Sequence, residues 1–237
     1  MDIWGITDRG KVRRQNQDAF YKWTNGTLAF AVVCDGMGGA LSGNVASAMA
    51  AQRFVQALSA GVGTPEERLT LAAAVANDAV YHRATQDINC RGMGTTLVAA
   101  FAKADEAHIL NIGDSRCYHL SGGEIWQVTR DHSLVAQLVA AGQITEEEAQ
   151  NHPNRNIITR ALGTESQVRG DLYREELQPG DRLLLCSDGL SNEVTKEELA
   201  QIAGSGDLRD CCDRLLQLAL ERGAPDNVTA VILAADG

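Results

Sequence analysis

Three aspartates stand where an apolar run meets a polar turn: Asp35 in AFAVVCDGMGG, Asp188 in RLLLCSDGLS and Asp226 in GAPDNVTAVILAA. A carboxylate at such a strand end offers one hard oxygen ligand. A following glycine lets a backbone carbonyl turn inward as another. Three such ends that converge in space would hold a magnesium- or manganese-type ion, and such ions serve phosphate chemistry. Asp-Gly is also the commonest tight-turn dipeptide, so each aspartate alone could be only a turn. The flanks weigh against that. Val32-Val33-Cys34 and Leu183-Leu184-Leu185-Cys186 are near-continuous apolar runs. Strands of that kind are buried on both faces. An anionic group where such a strand emerges is costly unless paired, hydrogen-bonded or metal-bound.

One cationic stretch runs against the general charge. Arg9, Lys11, Arg13 and Arg14 lie close together in a chain of net charge -10. They could form a solvated basic face or meet an anion. The negative balance argues against general nucleic-acid or membrane-surface binding. No apolar run approaches the length of a membrane span. No apolar segment follows a basic start, so no leader is expected and a cytoplasmic location is. The six cysteines form no CxxC pair and sit mostly in apolar runs, which predicts buried free thiols.

The elements that must position these residues are legible. Strand-like runs cover 2–8, 28–34, 95–102, 107–112, 115–120, 124–129, 181–187 and 227–235. Ser121-Gly122-Gly123 joins two of them as a hairpin. Thr64-Pro65-Glu66-Glu67 opens a helix as a capping box and runs to about residue 86. An alanine-rich helix covers about 42 to 60. Thr195-Lys196-Glu197-Glu198 is a second capping box, and a last helix starts at Asp207 and closes at Gly223. Strands mostly follow strands, which favours antiparallel sheets. The expectation is a single domain over 1–237 of α+β class. It would be a four-layer α-β-β-α sandwich with two central, mostly antiparallel sheets. Residues 142–163, with one short capped helix and then polar irregular chain, read as a surface connection or as a flap beside the site.

Eight segments then match a family in order: RRQNQD at 13–18, CDGMGG at 34–39, GTTL at 94–97, NIGDSR at 111–116, TRDHS at 129–133, TRALG at 159–163, CSDGL at 186–190 and DNVT at 226–229. With them the chain resembles the metal-dependent Ser/Thr protein phosphatases of type 2C in their compact bacterial form. The resemblance implies the α-β-β-α sandwich, with a metal centre in a cleft at the sheet ends. It implies that Asp35 bridges two ions, Mn2+ or Mg2+, and that the Gly36 carbonyl serves the second. Asp188 and Asp226 would hold the first, and Asp18 would reach the metals through water. Asp114, with Asp188, would bind a weaker third ion, unless its Gly-Asp-Ser setting is only a turn. Arg13 would grip the substrate phosphate.

The chemistry implied is hydrolysis of phosphoserine and phosphothreonine by a water that two cations activate, with no covalent phosphoenzyme. A bidentate guanidinium and metals make the approach of a dianion to an acidic site favourable. Met37 stands where many eukaryotic members carry a histidine thought to protonate the leaving group. That leaves the general acid open between a water on the metal and His152, whose other reading is a surface histidine. His132, at the start of a helix, reads as structure or catalysis, and Asn16 as a backbone brace. Expected partners are phosphoproteins, among them a Ser/Thr kinase and its targets, with no nucleic acid and no membrane insertion, and the chain is expected to be a monomer. Two other readings stay open: a non-catalytic phosphoprotein-binding module, and a small-molecule phosphohydrolase.

Overall fold

The computed structural model describes residues 1–38 and 42–236; Gly39, the end of the CDGMGG segment, lies outside them. The strands are β1 (Asp2–Asp8), β2 (Asp18–Thr24), β3 (Leu28–Met37), β4 (Gly94–Thr95), β5 (Leu97–Lys103), β6 (Glu106–Ile112), β7 (Arg116–Ser121), β8 (Glu124–Gln127), β9 (Asp171–Glu176), β10 (Arg182–Cys186) and β11 (Val228–Ala234). The helices are α1 (Gly43–Ala60), α2 (Pro65–Gln86), α3 (Leu134–Ala140), α4 (Glu146–Gln150), α5 (Asp188–Ser191), α6 (Lys196–Ala203) and α7 (Leu208–Glu221). One sheet runs β1-β11-β10-β7-β8. The other runs β2-β3-β5-β6-β9, with β4 against β3, and every pairing is antiparallel.

Strand alternation builds the layers. In β10, Leu184 and Cys186 face the cluster under α6 and α7, while Leu183 and Leu185 face the space between the sheets. In β3, Val32 and Cys34 face α1 and α2, and Ala31 and Val33 face inward. Both faces of these strands are therefore dry, as their continuous apolar runs require. The result is the helix–sheet–sheet–helix stack expected from the sequence. The capping boxes at Thr64 and Thr195 are both formed, with the hydroxyl accepting from the N3 amide and the N3 glutamate accepting from the cap amide. All six cysteines are free and buried.

Two strands escaped the sequence reading. β2 (DAFYKWT) and β9 (DLYREE) are the two ends of one sheet, and their outward positions stay exposed. Edge strands carry charge on the wet positions, so their apolar signal is diluted. Helix α3 has no fully buried residue, and α5 is a single turn. Neither has a periodicity to read.

From residue 142 to 160 no residue is fully buried; burial resumes at Ala161 and Leu162. Two isolated bridges root this stretch, Ser133 to Ile158 and Thr95 to Leu162. Thr145 caps its one helix as expected.

Candidate functional site

The site forms because the two sheets present strand ends at one place. Asp18 and Asp35 lie directly opposite each other in the β2–β3 register. β10 and β11 are antiparallel neighbours, so Asp188, just past the end of β10, and Asp226, just before β11, emerge at the same end of the other sheet. Asp114 sits in the connection from β6 of one sheet to β7 of the other.

Backbone contacts fix Asp35. Its amide donates to Thr96 Oγ1 at 2.9 Å, and its carbonyl accepts from the Thr96 amide at 2.9 Å and Thr95 Oγ1 at 2.8 Å. Thr96 Oγ1 also lies 2.7 Å from Ser115 Oγ, next to Asp114. Gly36 follows in a place no other residue fits. A Cβ there would lie 2.0 Å from the Gly43 carbonyl oxygen and 2.8 Å from that of Gln17.

The five carboxylates feel one another. Burial, then the charges of Asp18, Asp188, Asp114 and Asp226, hold the Asp35 carboxyl well above the ordinary range. Burial pushes Asp18 up to about 7; hydrogen bonds from Thr229 and Ser187 oppose that shift, while Asp188 and Asp226 add to it. Burial also pushes Asp114 up to about 7, with Asp188 and Asp131 adding to it. Asp188 is raised by burial and by Asp226, though an Asp35 contact counters this. Asp18 is the most tightly held. Its Oδ2 accepts from Ser187 Oγ at 2.7 Å and Thr229 Oγ1 at 2.6 Å.

Arg13 faces the same acids. Its guanidinium donates to Asp226 Oδ2 at 2.6 Å, and the fields of Asp35 and Asp188 reach it too. Its loop is laced down by Asn227, whose Oδ1 accepts from the Gln17 amide while Nδ2 donates to the carbonyls of Arg9 and Gln15. Asn16 braces backbone as expected, accepting from the Asp18 amide and donating to Thr7 Oγ1. The Arg13 side chain remains half exposed.

Whether these residues fit a hard cation is decided by their oxygens. Asp18 Oδ1, Asp114 Oδ1 and Asp188 Oδ1 are buried acceptors with no hydrogen-bond partner. An orphaned buried carboxylate oxygen is costly, and three in one like-charged cluster suit a cation and little else. The carboxylates act on one another through their charge without closing on one point. Among the described residues, no three His, Cys, Asp or Glu side chains are drawn tightly enough to cage an ion as they stand.

The two candidate histidines differ. His132 is a brace: Nδ1 accepts from the Gly113 amide at 3.0 Å, Nε2 lies 3.1 Å from Asp171 Oδ2, and its main chain bonds Gly113 and Thr159. It thereby ties the Asp114 loop to the root of the 142–163 segment. His152 lies out in that segment. Its Nδ1 accepts from the Asn154 amide, and none of its hydrogen bonds reaches the five aspartates. Met37, half-buried, ends β3 opposite Gly94.

Sequence reasoning did not single out Ser187, Thr229, Asn227 and Thr96. All four sit inside matched segments, and Ser187 and Asn227 adjoin aspartates it did name. Asn77 is the fifth. Its buried amide on α2 donates to the carbonyls of Glu165 and Ser166 and accepts from the Gly163 amide, and only its polarity on a buried helix face could have marked it.

Comparison with known proteins agrees with this geometry. Residues 9–233 match the family model described as Protein phosphatase 2C. A serine/threonine phosphatase, stp, of Listeria monocytogenes serovar 1/2a is 39% identical over 239 residues, covering 97% of this chain and 94% of its own. The crystal structure of the serine/threonine phosphatase Stp1 from Staphylococcus aureus superposes with a TM-score of 0.93 at 39% identity, covering 100% of this chain and 95% of that one. The catalytic domain of the serine threonine protein phosphatase PstP, solved in complex with two manganese ions, gives 0.89 at 35% identity, covering 99% and 98%.

Proposed function

The chain belongs to the protein phosphatase 2C family, and from that premise we propose how its residues carry out the chemistry. It is a protein-serine/threonine phosphatase, a metal-dependent hydrolase of phosphoserine and phosphothreonine in proteins that uses two divalent ions. The carrying observation is the set of three orphaned buried oxygens, on Asp18, Asp114 and Asp188, within a cluster of five aspartates that also faces Arg13.

Asp35, the Gly36 carbonyl, Asp188 and Asp226 would hold the two ions, with Asp114 and Asp188 available to a weaker third. Manganese is the ion we favour over magnesium. When bound, the ions supply positive charge that offsets the phosphate dianion and makes a water nucleophilic at neutral pH. The protein's own part is placement. The Thr96 and Thr95 contacts hold the β3 end, so the Asp35 carboxylate has one direction to point. The Ser187 and Thr229 hydroxyls occupy one oxygen of Asp18 and leave Oδ1 to orient water on the attacking side. Arg13 is half exposed and, among the described residues, bonded through one nitrogen, so it can turn from Asp226 to phosphate oxygens and pair with two at once. His152 would enter with the substrate, as residues 142–163 close, and give a proton to the departing seryl or threonyl oxygen.

We take the chain to act as one catalytic domain and as a monomer in the cytoplasm, opposing a Ser/Thr kinase on that kinase's targets. No described helix is long and apolar enough to cross a membrane. The test is release of phosphate from a phosphothreonine peptide with manganese, with excess chelator, and beside free phosphorylated metabolites. Turnover should need the metal and favour the peptide. Turnover unchanged by chelator contradicts the metal reading. Metabolites hydrolysed better than peptide would make it a small-molecule phosphohydrolase, and tight peptide binding without turnover a binding module.

A further inference from the structure

A second surface beside the site has the make-up of a docking groove. Helix α2 covers β5 and β6 but stops short of β9, the last strand of its sheet. The step leaves a groove of about 680 Å3. Ala73 and Ala74 of α2 form one wall, Leu110 and Val168 the floor, and Leu172 of β9 the outer lip. Leu172 is 41% exposed, although its register partner Leu110 is buried. The far backbone edge of β9 has no partner among the described strands. Such an edge can take an extended chain by main-chain hydrogen bonds.

Charge says what kind of chain. Arg130 and Arg169 line the groove, both exposed, and neither guanidinium has an ion pair or hydrogen bond among the described residues. That is unlike Arg13, Arg83, Arg116, Arg160, Arg174 and Arg222, each held by a carboxylate. The one acid in the groove, Asp171, is taken up by Arg160 at 2.7 Å and by His132. So in a chain of net charge -10 this groove presents free positive charge. It also leads to the site, because His132 bonds both Asp171 and the Gly113 amide beside Asp114.

We propose that this groove docks an acidic, extended segment of the phosphoprotein substrate, remote from the phosphorylated residue itself. The segment lies along β9, sets apolar side chains on Leu110, Val168 and Leu172, and meets Arg130 and Arg169 with its carboxylates. The proposal rests on the phosphatase reading above. It makes substrate choice partly a matter of sequence outside the reacting centre, with binding drawn from a surface that performs no chemistry.

Three substrates separate the effects: p-nitrophenyl phosphate, a short neutral phosphothreonine peptide, and the same peptide extended by an acidic apolar tract. The extension should raise kcat/KM for the wild type about tenfold, mainly through KM, and added salt should erode the gain. An extension of lysines should give none. R130E with R169E should abolish the preference while p-nitrophenyl phosphate turnover stays unchanged. Equal rates on extended and short peptides, or a preference that survives the double substitution, overturns the proposal. Fluorescence anisotropy of the unphosphorylated acidic peptide provides a measurement independent of turnover. Wild type should bind it and Leu172→Glu should not; no binding by wild type overturns the docking. Should wild type cleave no phosphopeptide at all, the phosphatase reading falls, and the anisotropy still decides the groove. If the groove substitutions instead dissolve a dimer seen by sedimentation, the occupant is a second copy and the proposal fails.

Discussion

At the scale of single residues, the site is a set of like charges that only opposite charge can settle. Burial and neighbouring carboxylates raise the proton affinity of Asp18, Asp35, Asp114 and Asp188, and among the described residues the guanidinium in direct contact with the cluster is that of Arg13, on Asp226. Arg13→Ala should therefore weaken phosphate recognition by roughly 1.5–3 kcal/mol, one to two decades in kcat/KM. Arg13→Lys should recover only part, since an ammonium cannot meet two phosphate oxygens in one plane. Steady-state kinetics on a phosphopeptide checks both, and a larger loss from Arg14→Ala would shift the role to its neighbour. His152→Ala gives a sharper split. If His152 protonates the leaving alkoxide, its loss should slow phosphopeptides and spare p-nitrophenyl phosphate, whose phenolate leaves without an acid. Equal losses on both would assign it to the structure of the segment, and no loss on either would leave it a surface histidine.

At the scale of elements, the site depends on how strand ends and loops are pinned to one another. Asn77 is the clearest pin. From α2 it makes three hydrogen bonds to residues 163–166, just past Leu162, which bridges Thr95 and so steadies the Asp35 carbonyl. Asn77→Ala would leave the buried Gly163 amide without its acceptor and should cost about 1–3 kcal/mol of stability. Thermal or denaturant unfolding measures it, and an unchanged midpoint would show that the contact contributes nothing. Pinning of this kind was out of reach of the sequence. The apolar runs beside Asp35, Asp188 and Asp226 announced buried strands with acids at their ends, because burial on both faces leaves a continuous signature. The helices under the capping boxes were readable for the same local reason. β2 and β9 were not, since an edge strand such as DLYREE answers to solvent on its outer positions and loses the apolar pattern. Nor were Ser187 and Thr229 singled out as the partners of Asp18. They lie 169 and 211 residues from it, and only the closing of two sheets brings them near.

At the scale of the whole molecule, function is written into how the two sheets meet. One contributes Asp18 and Asp35, the other Asp188 and Asp226, and Asp114 sits on the crossover between them. An ion held across that junction should stabilise the folded chain as well as activate it. Binding that favours the native state adds about 2.7 kcal/mol when the ligand stands at 100 times its Kd. The most direct measurement is a manganese titration of the wild type and of Asp35→Asn, following the unfolding midpoint and phosphopeptide turnover in the same samples. Wild type should rise in both together. Asp35→Asn keeps the side-chain volume but removes the central charge, so it should fold, lose most of the metal-induced shift, and lose several orders of magnitude in kcat. Near-normal turnover by Asp35→Asn at saturating manganese would contradict the account.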